Sequence, residues 1–189
     1  MIRILLDMDG VLADFDAKLF ADTADVIQWP DEALRRTRRF CTDHLPSNQE
    51  RRYVRRHIET TPFFRDLPVI EGARKGVREL EEMGFDLWVV SKPLESNPTC
   101  ASDKYAWVAD HFPTLAGKVI LTPDKSLIHG GILLDDAIKD RERALASWTP
   151  VHYSYPHNAA KTGYRFTWEF GASTLAQIAV QAESTKESL

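Results

Sequence analysis

The stretch Ile4-Leu5-Leu6-Asp7-Met8-Asp9-Gly10-Val11-Leu12-Ala13-Asp14-Phe15 decides how this chain folds. Three apolar residues run straight into two carboxylates placed one residue apart. A buried parallel strand cannot hold a lone carboxylate in its middle, but it can present one where it leaves the sheet. The pattern therefore predicts a central strand over Ile2–Leu6 with Asp7 and Asp9 at its exit. If the backbone stays extended there, the two side chains point the same way, with Cα atoms ~6.5–7 Å apart, and both face one bound group. Gly10 then lets the chain turn away with no Cβ in the path. The plainer reading is an Asp-rich turn that caps the next helix.

Further apolar runs at Phe85–Val90, Lys118–Leu121, Ile132–Leu134 and Val151–Tyr153 alternate with helical patterns. One helix is expected at about Ala73–Met83, where Ala73, Val77 and Leu80 keep helical spacing and Gly84 stands where a left-handed cap belongs. Another is expected at about Asp103–Phe112, with Tyr105, Val108, Ala109 and Phe112 on one face and Pro113 as the stop. This alternation predicts an α/β fold, a Rossmann-like three-layer parallel sheet with ligands at the carboxyl ends of its strands. Residues 16–70 break the rhythm, with Pro30, Pro46, Pro62 and Pro68 as punctuation and no evident strand. They read as a small helical cap inserted after the first strand, leaving 1–15 and 71–189 as the core. The tail "AESTKESL" is expected to fray.

The chain of 189 residues, 43% hydrophobic and 28% charged, suits one soluble domain with a small insertion. Its apolar runs are too short to span a bilayer and no basic leader precedes them, so a soluble, cytoplasmic protein without a membrane partner is expected. Cys41 and Cys100 lack the spacing of a zinc site, which points to free thiols and no redox chemistry. Eight arginines between Arg35 and Arg56 face only Asp43 and Glu50, a local charge of about +6 in a chain of net −4. They read either as solvated helix faces or as a patch that steers a phosphate-bearing ligand; general nucleic-acid binding is not expected.

Three more stretches bring polar residues to predicted strand ends: "WVVSKP" places Ser91 and Lys92, "ILTPDKS" places Lys125, and "ILLDDAIKD" places Asp135 and Asp136. Each alone has an ordinary explanation in a turn, a solvated lysine or a helix cap. Together they put a hydroxyl, cations and four carboxylates at one sheet edge. That set suits a phosphate and Mg²⁺, because a hard divalent ion takes oxygen ligands and shares its shell with phosphate.

In this order the residues resemble the haloacid dehalogenase superfamily of Asp-nucleophile phosphatases. The stretches "DMDGVLADF", "PFFRDLPVIEGA", "KYAWVADHF", "ILTPDKSLI" and "LLDD" resemble the 5′(3′)-deoxyribonucleotidase family over nearly the whole chain, except from about Asp22 to Glu59. The resemblance implies a Mg²⁺-dependent phosphatase that hydrolyses deoxyribonucleoside monophosphates through an aspartyl-phosphate. It implies Asp7 as nucleophile, Asp9 as acid–base group and carbonyl ligand, Lys125 as the phosphate-neutralising cation and Ser91 as a hydrogen-bond donor to a phosphoryl oxygen. It further implies Asp7, Asp9 and Asp135 on the metal, Asp136 behind them, and Phe15 and Phe64 against the sugar and base; Phe63 reads more readily as core. Lys92 departs from the family, which carries a small or hydroxyl residue there, and either adds a cation at the phosphate or turns to solvent. A nucleotide is the expected partner, and a homodimer stays open. The competing functions are a phosphatase of another small monoester or of nucleic-acid 3′-phosphate ends, and a nucleotide-binding member without turnover.

Overall fold

In the computed structural model, which describes residues 1–29, 45–60 and 62–187, the first apolar run forms β1 (Arg3–Leu6) at the centre of a sheet. It pairs in parallel with β2 (Asp86–Ser91) on one side and β4 (Ile132–Asp135) on the other. With β3 (Val119–Leu121), β5 (Thr149–Tyr153) and β6 (Tyr164–Phe166), the order is β3-β2-β1-β4-β5-β6, parallel throughout. Five strands lie within two residues of the expected runs. The sixth was not anticipated, because three residues interrupted by Arg165 make no apolar run.

The order reverses between β1 and β4, so right-handed crossovers fall on opposite faces to either side of that seam. On one face Ile4, Leu6, Val89, Ile132 and Leu134 join the main core with α3 (Ala73–Glu82), α4 (Cys100–His111) and α6 (Ala172–Glu187). On the other, Leu5, Val90 and Leu133 meet only Ile138, Trp148 and their partly buried neighbours. The six-residue α5 (Asp140–Leu145) is the helix of the β4–β5 crossover, so the third layer is thin.

Helix α3 ends as expected, with Gly84 at φ +86° and its N–H donating to the Glu81 carbonyl at 2.9 Å. Helix α4 does not follow expectation: it starts three residues earlier and buries Cys100, Asp103, Lys104, Trp107 and Val108, leaving Tyr105 45% exposed and Ala109 in solvent. The face is turned because Lys104 is drawn inward by acceptors in the turn after β1 and at the end of β2, and because the Trp107 indole donates to the Leu67 carbonyl at 2.7 Å. The tail is also more regular than expected up to residue 187, residues 188–189 lying outside the described residues. Helix α6 runs to Glu187, and Lys186 ties it to the Gly131 carbonyl at 2.8 Å.

Between β1 and α3 the described residues form α1 (Phe15–Thr23), α2 (Asn48–Thr60) and a 3-10 turn at Phe63–Asp66. Asp14 caps α1 by accepting from the Ala17 N–H at 3.0 Å. Ser47 and Glu50 cap α2 reciprocally: each side chain accepts from the other's backbone N–H at 3.1 Å. Leu19, Leu45, Val54, Phe63 and Phe64 continue the main core. Val54 is the buried residue of α2, and Arg51, Arg52, Arg55 and Arg56 are exposed, with Arg51 donating to the Leu45 carbonyl at 2.9 Å. Arg35, Arg36, Arg38 and Arg39, together with Pro30 and Cys41, lie outside the described residues. Cys100 is a free, buried thiol.

Candidate active site

Asp7 is the first residue beyond β1. Its N–H still donates to the Leu134 carbonyl at 2.9 Å, after which the sheet register is lost. The Met8 carbonyl accepts from the N–H groups of Leu12 at 2.9 Å and Ala13 at 2.8 Å, so the chain turns at once instead of staying extended through Asp9. As a result the two aspartates meet different partners. Asp7 Oδ1 accepts from the Met8 N–H at 2.7 Å and pairs with Lys125 Nζ at 2.8 Å; Asp9 Oδ2 accepts from Lys104 Nζ.

Gly10 has φ +77°, and a Cβ there would lie 3.0 Å from the Asp136 carboxyl carbon. The glycine thus allows both the turn and the approach of the acidic pair that follows β4. Asp135, the last residue of β4, accepts from the Ala137 N–H at 2.6 Å on Oδ1 and from Lys125 Nζ at 2.7 Å on Oδ2. Asp136 stands against its neighbour's oxygens, and carboxylate oxygens of Asp7, Asp135 and Asp136 lie within 4.8 Å of one another.

Four carboxylates here face two buried ammonium groups. Burial, opposed by Lys125 and reinforced by Asp135 and Asp9, raises Asp7 to a pKa of about 6. Burial with the charges of Asp135 and Asp7 raises Asp136 well above the usual carboxylate range. Burial would lower Lys125, but Asp135 and Asp7 outweigh it and hold the ammonium firmly charged. Negative charge therefore remains uncompensated among oxygen-only donors, which suits a hard divalent cation such as Mg²⁺. The donor set fits that ion, with Asp7, Asp135 and Asp136 as the side chains in reach.

Ser91 ends β2, is 1% exposed, and accepts from Lys104 Nζ on Oγ at 2.8 Å. Lys92 remains exposed and lines the cavity rim. Its carbonyl accepts from Lys104 at 3.2 Å, and its own ammonium has no side-chain partner among the described residues. The cavity, about 720 Å³, lies outside the ends of β1 and β4 and is lined by Asp7, Asp9, Lys92, Asp136, Phe15 and Phe64 among others. Phe15 packs edge-on to Phe63 with centroids 5.0 Å apart, and Leu19, Ile58 and Leu94 extend the apolar wall. Phe63 is 1% exposed and packs in the core.

Sequence reasoning missed Lys104 and His157, whereas Arg55 comes from the arginine cluster for which phosphate steering was one of the two readings. Arg55 lines the cavity from α2, and His157 lines it while its Nε2 sits 3.0 Å from the Asp136 carbonyl. For Lys104 a signal existed. Cys100, Lys104, Trp107, Val108 and His111 fall on one helical stripe, and a lysine inside an apolar stripe needs a partner.

Comparison with known proteins adds to this geometry. Residues 1–173 match the family described as 5′ nucleotidase, deoxy (pyrimidine), cytosolic type C protein, a match that runs through the Asp22–Glu59 stretch. A Bordetella bronchiseptica protein, whose 5′(3′)-deoxyribonucleotidase name is provisional, is 35% identical over 183 residues, covering 92% of this chain and 95% of its own. The human cytosolic-type 5′(3′)-deoxyribonucleotidase is 30% identical over 177 residues, covering 83% of this chain and 82% of its own. Among solved structures, a HAD family hydrolase of Deinococcus radiodurans with bound phosphate and sodium superposes with a TM-score of 0.57 at 13% identity, covering 97% and 96% of the two chains. A provisionally assigned HAD-hydrolase of Bacillus subtilis bound to magnesium gives 0.53 at 14% identity, covering 94% and 98%. At such identities the structural likeness speaks for the fold.

Proposed function

The chain belongs to the 5′(3′)-deoxyribonucleotidase family of phosphoric monoester hydrolases, and from that premise we propose that it hydrolyses deoxyribonucleoside monophosphates through an aspartyl-phosphate with Mg²⁺ bound. The observation that carries this reading is the state of Asp7. Its Oδ1 is taken by the Met8 N–H and Lys125, and Oδ2 has no donor among the described residues, at the edge of the cavity.

Asp7 attacks phosphorus through its unengaged oxygen: the Asp7–O–P bond forms, the bond to the nucleoside oxygen breaks, and Asp9 delivers a proton to that oxygen. Water then attacks phosphorus, gives its proton back to Asp9, and releases phosphate and Asp7. Lys125 neutralises the charge that gathers beside Asp7, and Ser91 donates its hydroxyl to a phosphoryl oxygen. Lys92 adds a cation at the rim. Mg²⁺, held by Asp7, Asp135 and Asp136 with the Asp9 carbonyl, supplies further charge neutralisation when bound.

Residues 16–70 act as a cap over the nucleoside, with Phe15 and Phe64 against sugar and base. The contacts that support a cap seated on the core are Ser96 donating to Glu59 Oε1 at 2.9 Å and the Asn97 side-chain amide donating to the Ile58 carbonyl at 2.6 Å. The test is a turnover screen across nucleoside monophosphates, sugar phosphates and 3′-phosphorylated oligonucleotides, with and without Mg²⁺. Fastest Mg²⁺-dependent turnover of a deoxyribonucleotide is expected; a sugar phosphate or an oligonucleotide end turned over faster overturns the substrate assignment.

A further inference from the structure

Lys104 is 0% exposed, and its ammonium spends its protons on three acceptors: Asp9 Oδ2, Ser91 Oγ at 2.8 Å and the Lys92 carbonyl at 3.2 Å. Phe64, which lines the cavity, has its ring centroid 5.0 Å from that nitrogen. A buried ammonium is costly unless every proton is satisfied, and here every acceptor belongs to a residue at the candidate reaction centre or beside it.

The pairing has two directional consequences. Asp9 Oδ2 is occupied, whereas Asp9 Oδ1 is buried with no hydrogen-bond partner among the described residues. The carboxyl as a whole lines the cavity, and the bond to Lys104 fixes its orientation there. Ser91 Oγ accepts from Lys104, and a hydroxyl that accepts one bond retains its own proton for donation elsewhere. A single ammonium therefore orients the acid–base group from the β1 turn and the hydroxyl from the end of β2, and it does so from a helix that follows both in sequence.

We infer that Lys104 is a positioning residue for proton transfer, which clamps Asp9 so that its carboxyl exchanges the proton with the leaving nucleoside oxygen and then with water. The inference rests on the aspartyl-phosphate reading above. The clamp is needed in both half-reactions. In the first, the proton on Asp9 goes to the departing oxygen as the P–O bond breaks. In the second, the attacking water loses its proton to Asp9 as the Asp7–O–P bond breaks.

This role can be told from a structural one by changing the leaving group. In the dTMP analogue whose bridging 5′ oxygen is replaced by sulfur, the departing thiolate has a pKa near that of an ordinary thiol, ~8.5, and leaves without a proton. Only the second half-reaction then needs Asp9. Lys104→Met is expected to release about one equivalent of thiol per active site in a burst slowed only by the loss of Ser91 orientation, followed by turnover slowed by ~100-fold or more; dTMP itself should show the slow rate with no burst. The ratio of burst to steady rate does not depend on how much enzyme is folded. If Lys104→Met does not fold, Lys104→Arg keeps the buried charge but displaces its donors, and the same burst pattern with a smaller steady-state loss is expected. Equal losses in burst and steady phases, or equal losses on the two substrates, overturn the positioning role. Failure of the underlying reading has a separate signature: no acid-trappable phosphoenzyme in the wild type, or turnover retained in Asp7→Asn.

Discussion

Lys125 Nζ lies 2.8 Å from Asp7 Oδ1, and both side chains are buried at the seam where the strand order reverses. The same nitrogen lies 2.7 Å from Asp135 Oδ2. One cation thus spans the ends of β1 and β4, the two strands whose separation opens the crevice. It also fixes which oxygen of Asp7 remains for attack.

Asp7→Asn is therefore expected to fold, since an amide oxygen can still accept from the Met8 N–H and from Lys125. It is expected to lose more than about a thousandfold in kcat, or ~4 kcal/mol of barrier, because an amide cannot form the acyl phosphate. The check is kcat on dTMP alongside circular dichroism; activity within about tenfold of wild type contradicts the covalent route.

The buried acids make stability depend on pH and metal together. A carboxyl whose folded pKa lies above its unfolded value of ~3.9 contributes stability that is fully present below the unfolded value and lost as pH rises through the folded one. For Asp7 that loss runs from the unfolded value up to about 6 and is complete above it, and Asp136 shifts in the same direction. Burial lowers His111 and His152, which changes stability in the opposite sense over part of this window. The informative quantity is accordingly the rise in Tm caused by Mg²⁺ at each pH. That rise is expected to be larger at pH 7.5 than at pH 5, where protons compete for the same oxygens, and EDTA is expected to abolish both it and turnover. An equal rise at both pH values would count against these acids as the metal site.

Substrate preference follows from the wall formed by Phe15 and Phe64 with Leu19, Ile58 and Leu94. An apolar wall offers a 2′-hydroxyl no partner, and stranding it costs ~1–3 kcal/mol. We expect kcat/KM for dUMP to exceed that for UMP by up to roughly a hundredfold, the limit for rejecting an added hydroxyl by an apolar surface. Phe15→Ala should shrink the ratio. Equal kcat/KM values in the wild type would remove this wall from the account of specificity.

A structural prediction concerns Gly76 on α3. A Cβ there would lie 2.3 Å from Trp168 Cε3, and Trp168 is itself held by its indole donating to the Val11 carbonyl at 2.7 Å in the turn after Asp9. Alanine improves helix propensity by ~1 kcal/mol, but overpacking against a pinned ring costs ~1–3 kcal/mol. Gly76→Ala is expected to lower the urea midpoint despite the better helix former. An unchanged or higher midpoint would mean the ring yields without cost.

Much of this protein was legible because the signals were local. Apolar runs ending in acid, repeated at several strand ends, fit buried strands with polar exits, and Gly84 and Pro113 mark chain reversals by their own backbone chemistry. The parallel α/β fold and the convergence of Asp7, Asp9, Ser91, Lys125, Asp135 and Asp136 on one sheet edge followed from register alone. What the sequence could not decide was which group faces which. Whether Asp7 and Asp9 share a partner depends on where the chain turns after Leu6, and that is set by the Met8 carbonyl and the space beside Gly10. Whether a helical lysine is solvated or buried depends on acceptors far away in sequence: Lys104 turned α4 inward because Asp9 and Ser91 come from two other elements. Periodicity reports the apolar face of an element, but the partner of a buried charge exists only once the elements have packed.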